Sequence, residues 1–258
     1  MNGLLGKNIS YTLSKWIHEQ MQDTPYHIFD TEDYDAILED SSITALNVTI
    51  PYKEKVLTYL DYLDSPSTKL RAVNTIIRKQ GKLYGYNTDY YGFVATLAYY
   101  QTDLKDKRVL ILGNGASSRM VELVATEHGA KEIMFLVRNK KQEKEFTLKE
   151  FKKVKDFDIL INATPVGNIY NEEIPFGLDV SKYPSLETVI DLNYAPLYSK
   201  LLLAARSLKL KYYNGLFLLI TQAIKSRALL TPDADFSNVF NQIRYNLLQK
   251  VQNIVLIG

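Results

Sequence analysis

Strand-like and helix-like stretches alternate along this chain, and that alternation directs it to a layered α/β architecture with parallel strands. Leu4 and Leu5 stand between two glycines as the tip of a first strand. Ser14 is placed to cap a helix carrying Trp16, Ile17 and Met21. Residues 26–29 form a second strand, and Thr31 caps a short acidic helix through Ile37 and Leu38. Residues 43–50 alternate and stop at Pro51, which favours a helix start with Val56, Leu57, Leu60 and Leu63 on one face. Residues 72–78, the turn Gln80-Gly81-Lys82 and residues 83–86 are expected as strand, turn, strand, with a helix over 90–100 behind them.

A polar stretch at 102–107 reads as the crossing into a second α/β unit. Residues 108–112 are a strand of β-branched and Leu residues, Gly113-Asn114-Gly115 is a tight turn, and 120–125 is helical. Strands follow at 132–137, 159–163 and 188–192, with a helix over 201–208 and a last helical region through Gln222, Ala223 and Ala228. Between them, KKQEKEFTLKEFKKVK at 140–155 places Leu148, Phe151 and Val154 three apart, the pattern of a helix with a solvated charged face. The second unit is interior to the chain, so the first is expected to be discontinuous: residues 1–101 and 216–258 in one domain, 102–215 in the other.

Composition narrows the function. Lys plus Arg is 31 against Asp plus Glu 29, a formal net charge of +2, which gives no field to hold nucleic acid or an anionic membrane. Nineteen Tyr are scattered and do not interleave with a basic stripe, so packing explains them better than a base-stacking platform. With no Cys there is no disulfide framework, thiol nucleophile or thiolate metal site. His18, His27 and His128 have no paired ligands, so no metal is expected. The longest apolar runs, such as 201–205, fall far short of the roughly 20 residues that span a bilayer. The opening MNGLLGKNISYTLSKW breaks its apolar residues with Gly, Asn and Lys, so no secretion signal is expected and the cytoplasm is the expected setting.

Four positions carry candidate chemistry. Gly113, Asn114, Gly115, Ala116 and Ser117 lie between a strand and a helix, where glycines let the backbone approach a pyrophosphate at a helix N-terminus. The last position of that fingerprint is Ser118 instead of Gly or Ala, so an ordinary strand-to-helix turn competes with the nucleotide reading. At the end of the next strand, where an NAD site carries an acid, this chain has Arg138, Asn139, Lys140 and Lys141, which suit a 2′-phosphate. Lys53 is expected just inside a helix whose positive end lowers its pKa, a surface Lys being the plain alternative. Asp89 follows Asn87-Thr88 at a strand-to-helix junction, where its plainest role is an N-cap.

The segments Gly3-Leu-Leu-Gly6 with Thr12-Leu-Ser14, Asn47-Val-Thr-Ile-Pro-Tyr-Lys53, Ala72-Val-Asn74-Thr75 and Gly85-Tyr-Asn87-Thr-Asp89 lead into the glycine loop and Arg119. After them come Asn162-Ala-Thr-Pro-Val-Gly167, Asp191-Leu-Asn-Tyr194-Ala-Pro196 and Asn214-Gly-Leu-Phe-Leu-Leu-Ile-Thr-Gln222. In this order, across nearly the whole length, the chain resembles the shikimate dehydrogenase family. The resemblance implies a discontinuous α/β substrate domain and a Rossmann-type NADP domain with the active site in the cleft between them. It implies reversible NADP-dependent reduction of 3-dehydroshikimate to shikimate, in the pathway of aromatic amino acid biosynthesis, by a monomer or homodimer. Lys53 and Asp89 become the catalytic pair at the reacting hydroxyl, and Thr12, Ser14, Thr49, Asn74, Tyr194 and Gln222 the contacts to shikimate. Thr164 and Gly215 join Gly113 to Ser117, Arg138 and Asn139 at the cofactor. A helix end would depress the pKa of Lys53 while Asp89 raises it, which leaves its resting state open.

The chain departs from the family pattern in three places. Asn8 and then Tyr11-Thr12-Leu13-Ser14-Lys15 replace Pro and then His-Ser-x-Ser-Pro, Asn139 replaces Thr, and the interval from Arg138 to Asn162 is shorter by about one helix and strand. These departures keep two alternatives in view: an NAD-preferring quinate/shikimate dehydrogenase, and a ligand-binding paralogue without turnover.

Overall fold

The computed structural model of the protein describes residues 1–9, 12–21, 25–151, 154, 156–232 and 238–255. Tyr11 in the departing segment, and Lys152, Lys153 and Lys155 in the expected charged helix, lie outside the described residues. The chain divides into two compact α/β units, Met1–Gly92 with Leu219–Asn246, and Phe93–Leu218 with the chain from Leu247. The divide falls within helices at all three crossings, whereas the polar stretch at 102–107 lies wholly inside the second unit.

In the first unit, β1 (Asn2–Gly6), α1 (Ser14–Glu19), β2 (Tyr26–Asp30), α2 (Tyr34–Glu39), β3 (Ala45–Val48), β4 (Tyr62–Leu63), α3 (Ser65–Leu70), β5 (Thr75–Lys79) and β6 (Lys82–Tyr86) lead into α4 (Thr88–Tyr99). The six strands form one sheet in the order β2-β1-β3-β5-β6-β4. It is mixed, not wholly parallel: β1 pairs in parallel with β2 and β3, while β3-β5 and β5-β6 are antiparallel. The reason is the tight β5-β6 turn, where Gln80 and Gly81 both take positive φ (52° and 76°) and fold the chain straight back. Leu5, Leu46, Val48, Val73 and Ile76 pack the core of this sheet with Leu38 and Val56.

Local expectations change here in three places. The helix expected after Pro51 is only a 3-10 turn, Lys55–Tyr59, and Leu63 belongs to β4, where it pairs with Gly85. Gly85 makes the difference: a Cβ there would stand 2.5 Å from Leu60 Cδ1, so the missing side chain lets Leu60 and Leu63 lie on β6. The N-cap of α2 is Asp33, whose side chain accepts from Ala36 N, and Thr31 instead accepts from Asp33 N at 3.0 Å. Ser14 is the first residue of α1 and not its cap; its N–H donates to Thr12 Oγ1 at 3.1 Å.

The second unit contains β7 (Arg108–Leu112), α5 (Ala116–Glu127), β8 (Glu132–Leu136), β9 (Glu145–Phe146), α6 (Leu148–Phe151), β10 (Ile159–Asn162), β11 (Thr188–Asp191), α7 (Lys200–Ser207) and β12 (Lys211–Asn214). Its sheet is all parallel in the order β12-β11-β10-β7-β8-β9. That is the doubly wound dinucleotide-binding order, with its reversal between β7 and β10. The strands are near-continuous runs of buried Leu, Ile and Val, as in RVLIL of β7, because a parallel sheet is covered on both faces. The expected helix over 140–155 is replaced by β9 and the four-residue α6. Phe151 is buried and Leu148 exposed, and residues 137–144 alone join β8 to β9, fewer than a parallel crossover commonly takes. Beyond the sheet come α8 (Leu216–Leu230) and α9 (Val239–Val255). Among the described residues no helix is long and apolar enough to cross a membrane, and no group of three or more His, Cys, Asp or Glu could hold a metal ion.

In the first unit α1 buries His18, whose ring stacks on Tyr26 with centroids 4.4 Å apart and planes 1° from parallel. Burial, helped by the charge of Arg227, pushes the His18 pKa down to about 3. The folded state therefore holds this imidazole neutral while the unfolded chain protonates it below about pH 6.5. Stability is fully present above that value and falls as the pH drops toward 3, by at most about 1.4 kcal/mol per pH unit from this residue. Urea unfolding from pH 7 to pH 5 should show this loss, and His18→Phe should flatten the slope.

Candidate active site

The first unit gathers its polar side chains around the buried amide of Asn47, in the middle of β3. Tyr26 Oη donates to Asn47 Oδ1 at 2.8 Å, and Asn47 Nδ2 donates to Thr75 Oγ1 at 3.1 Å and Ser226 Oγ at 2.9 Å. Thr75 Oγ1 lies 3.2 Å from Thr88 Oγ1 and 3.3 Å from Asn74 Oδ1. Thr88 donates to that same oxygen twice, from its N–H at 2.7 Å and its Oγ1 at 3.1 Å. The carbonyl of the Asn74 side chain is thus filled by anchoring contacts, and the N–H donors are what its amide offers to a ligand. Thr88 Oγ1 also reaches Gln222 Oε1 at 3.4 Å, while Gln222 Nε2 donates to Leu219 O.

Beside this network Lys53 Nζ donates to Asp89 Oδ2 at 2.6 Å, with both side chains still about a fifth to a quarter exposed. Lys53 sits in the turn before the 3-10 segment, so no α-helix begins at it, contrary to the sequence expectation. Its carbonyl accepts from Val73 N at 2.8 Å, which ties the turn to the segment carrying Asn74. Asp89 is not the cap of α4. Asn87 Oδ1 accepts from Tyr90 N at 3.2 Å, which leaves the Asp89 carboxylate for Lys53. Thr12, Ser14 and Thr49 are half-buried, and Thr49 N donates to Leu5 O at 2.9 Å. Tyr194 belongs to the second unit, on the loop after β11. Lys15 is exposed and 3.8 Å from Glu19 on the same helix, a surface position.

The second unit opens a cavity of about 640 Å³ lined by Gly113, Asn114, Gly115, Arg138, Asn139 and Thr164, together with Lys141. Six of the nine expected cofactor residues therefore meet at one cavity. Ala116 and Ser117 form the first turn of α5 and are not in its lining, and neither is Gly215. Gly113 takes φ +95°, and a Cβ on it would stand 2.9 Å from Thr164 Cγ2, so glycine is required by both backbone and space. Gly215 answers to a different constraint: its Cβ would fall 2.0 Å from Leu192 O.

The loop that presents Thr164 is held by a buried acid that the residue-by-residue reading did not single out. Asp191 Oδ1 accepts from Asn162 Nδ2, Asn193 N and Asn193 Nδ2 at 2.9–3.0 Å, and its Oδ2 accepts from Ser199 Oγ at 2.6 Å. Asn162 Oδ1 in turn accepts from Thr164 N and Oγ1, at 3.0 and 2.7 Å. Burial raises the Asp191 carboxyl above its usual range, opposed by these donors. The available signal for Asn47, Asn162 and Asp191 was a polar residue inside or ending an apolar strand, as in ALNV, ILIN and TVID.

A doubly wound sheet with a glycine loop and a cationic turn, in a chain whose other unit carries a Lys-Asp pair in a polar network, defines a nucleotide-dependent dehydrogenase architecture. Residues 4–76 match the family model described as the shikimate dehydrogenase substrate binding domain. A protein of Clostridium botulinum (strain 657 / Type Ba4) named shikimate dehydrogenase (NADP(+)) is 36% identical over 246 residues, covering 88% of this chain and 95% of its own length. The crystal structure of a chorismate mutase/shikimate 5-dehydrogenase fusion protein from Clostridium acetobutylicum is similar with a TM-score of 0.90, 28% identity and 98% of both chains covered. That of shikimate 5-dehydrogenase from Thermus thermophilus in complex with NADP(H) and shikimate has a TM-score of 0.81 at 26% identity, covering 95% of this chain and 99% of that one. The chain belongs to the shikimate dehydrogenase family.

Removing the Asp191 carboxylate takes the acceptor from the Asn193 backbone N–H and the Ser199 hydroxyl, and one bond each from the Asn162 and Asn193 side-chain amides. Asp191→Ala should cost about 3 kcal/mol or more in urea unfolding, and Asp191→Asn, which keeps one acceptor oxygen, about half that.

Proposed function

We propose that the protein reduces 3-dehydroshikimate to shikimate, reversibly, with NADPH as reductant, in the route to the aromatic amino acids. The observation that carries this reading is the 2.6 Å Lys53–Asp89 pair beside the Asn74, Thr75, Thr88 and Gln222 network. A polyhydroxylated ring acid needs short donors and acceptors at fixed places, and a site built on them rejects analogues lacking a hydroxyl. Thr12, Ser14, Thr49, Asn74, Tyr194 and Gln222 are the proposed substrate contacts. The cytoplasm is the proposed setting.

The second unit's residues fit the dinucleotide. Gly113 and Gly115 line the cavity without side chains, and Arg138 and Lys141 bring positive charge to its wall. Ser118 Oγ, 3.4 Å from where a Cβ of Gly113 would stand, is buried with no hydrogen-bond partner among the described residues. When bound, the nicotinamide supplies or accepts the hydride at its C4.

Lys53 then performs the proton half of the reaction. As hydride reaches the ketone carbon, negative charge grows on the oxygen; the Lys53 ammonium stabilises that charge and delivers its proton to the oxygen, giving the alcohol. In the reverse direction the same amine takes the proton as hydride leaves. Asp89 holds Lys53 in place through the Nζ–Oδ2 bond and accepts from a substrate hydroxyl. Asn74 offers its amide N–H groups to the reacting oxygen or its neighbour.

The experiment is reduced-nicotinamide formation by purified protein with shikimate or quinate crossed against NADP or NAD. Turnover led by shikimate and NADP is expected; turnover led by quinate or NAD moves the assignment within the family, and silence in all four from folded protein overturns it. Lys53→Ala should lower kcat by roughly 10²–10⁴-fold with the shikimate KM within a few-fold, whereas a ligand-binding paralogue would lose little binding.

A further inference from the structure

One buried carboxylate in the second unit has no part in the chemistry above. Glu145, the first residue of β9, is only 3% exposed. Its Oε2 accepts from the backbone N–H of Lys141 and from that of Gln142 at 3.1 Å, and its Oε1 accepts from Asn114 Nδ2 at 3.2 Å. Asn114 Nδ2 also reaches Asn139 O at 3.4 Å. Asn114 and Asn139 belong to the two segments, glycine loop and basic turn, that line the nucleotide cavity. Burial pushes the Glu145 carboxyl up, but the Lys141 N–H, the Asn114 amide and the Gln142 N–H outweigh it and hold the group below its usual range. It is an anion at neutral pH.

Two consequences follow from an anion in this place. Successive backbone N–H groups in a turn form a natural anion-binding concavity. Here the N–H groups of Lys141 and Gln142 are taken by Glu145, so at these two residues a phosphate has only side chains to meet. Lys140 is drawn to Glu150 at 3.5 Å, which leaves Arg138 and Lys141 as the cations that face the cavity. The turn itself has no helix behind it, because 137–144 passes straight from β8 to β9. Its position relative to the glycine loop is held by the carboxylate that bonds both, beside the longer direct contact from Asn114 Nδ2 to Asn139 O.

We propose that Glu145 is a positioning residue for cofactor choice: by clamping the 138–142 turn to the glycine loop, it aims Arg138 and Lys141 at the ribose 2′-phosphate and so sets the preference for NADP over NAD. The proposal rests on the dinucleotide reading of this cavity. Glu145 touches neither substrate nor cofactor, so its removal alters the discrimination between the two cofactors and leaves the chemical step alone.

The test compares wild type, Glu145→Ala and Glu145→Gln, by titration with adenosine 2′,5′-bisphosphate and with AMP, and by kcat and KM for NADP, NAD and shikimate. Glu145→Ala should weaken the bisphosphate and raise the NADP KM about tenfold, with AMP, the NAD KM, the shikimate KM and kcat within about twofold. Glu145→Gln, which keeps one acceptor oxygen, should fall between, and it carries the test by the same ratio should the alanine variant not fold. Bisphosphate and AMP weakening in parallel would reveal a merely structural role and overturn the proposal, as would folded variants that keep the wild-type ratio. Wild-type protein that binds neither nucleotide would overturn the dinucleotide reading, and this inference with it.

Discussion

The amide of Asn47 is buried in a strand whose neighbours are Leu46 and Val48, and a primary amide taken out of water must find donors and acceptors inside the protein. Satisfying it organises the first unit. The register places Asn47 opposite Thr75 on β5, and Thr75 opposite Tyr86 on β6, so the residues just after β6 come beside Asn74 and Thr75. A slip of one residue in β3 would turn Asn47 to the other face and leave Thr75, Ser226 and Tyr26 without their common partner. Contacts next to these hold the Lys53 turn, through Val73 N on Lys53 O, and the start of α4, through Thr88 N on the Asn74 side chain. The proposed acid–base pair is therefore held by hydrogen bonds of residues 73, 74 and 88, next to the Thr75 that satisfies the buried amide.

The second unit meets the same demand with a different arrangement. Asn162, Asp191 and Asn214 are the last residues of β10, β11 and β12, and they are direct register partners across the sheet. Asn162 and Asp191 reach into the loop after their own strand, Asn162 donating to Val166 O and Asp191 accepting from the Asn193 and Ser199 donors, whereas Asn214 donates to Leu197 O in the loop after the neighbouring β11. A parallel sheet puts all its carboxyl ends on one edge, so this polar row and the glycine loop after β7 share the edge where doubly wound sheets bind ligands.

Much of this was legible before the structure, for reasons that differ by region. The run RVLIL followed by Gly-Asn-Gly predicts a buried strand, a turn and a helix because each part has a local cause, and β7 and α5 follow it. The segment after Pro51 misleads because Val56, Leu57, Leu60 and Leu63 have helical spacing, while the deciding fact, the absent Cβ of Gly85, lies more than twenty residues away. In 140–155 the three-residue spacing of Leu148, Phe151 and Val154 is real, yet β8 offers an edge, and pairing Glu145 and Phe146 there outweighs a helix for them. Glu145 was invisible as a functional candidate because it sits in a charge-rich stretch where most carboxylates are solvated; only tertiary packing separates it from Glu143 or Glu150. The Lys53 and Asp89 pair is the converse case. Spacing alone made them a surface Lys and a helix cap, the family pattern placed them together, and the structure finds them bonded.

How the helices begin also separates structural from ligand-facing ends. Asp33, Asp64 and Ser199 cap α2, α3 and α7 with their own side chains. At α5 the N-cap is Gly115, which has no side chain to offer, and no cap hydrogen bond is made. Helix starts of this kind carry N–H groups and partial positive charge that favour an anion. Because the glycine at that end also lines the cavity with Arg138 and Lys141, the unmet donors and the cations act on the same space. Dinucleotide phosphates are the anions that such a space suits, with the pyrophosphate at the backbone and the 2′-phosphate at the side chains. In a chain with a formal net charge of only +2, this positive potential arises from where a few groups are held and not from an excess of basic residues.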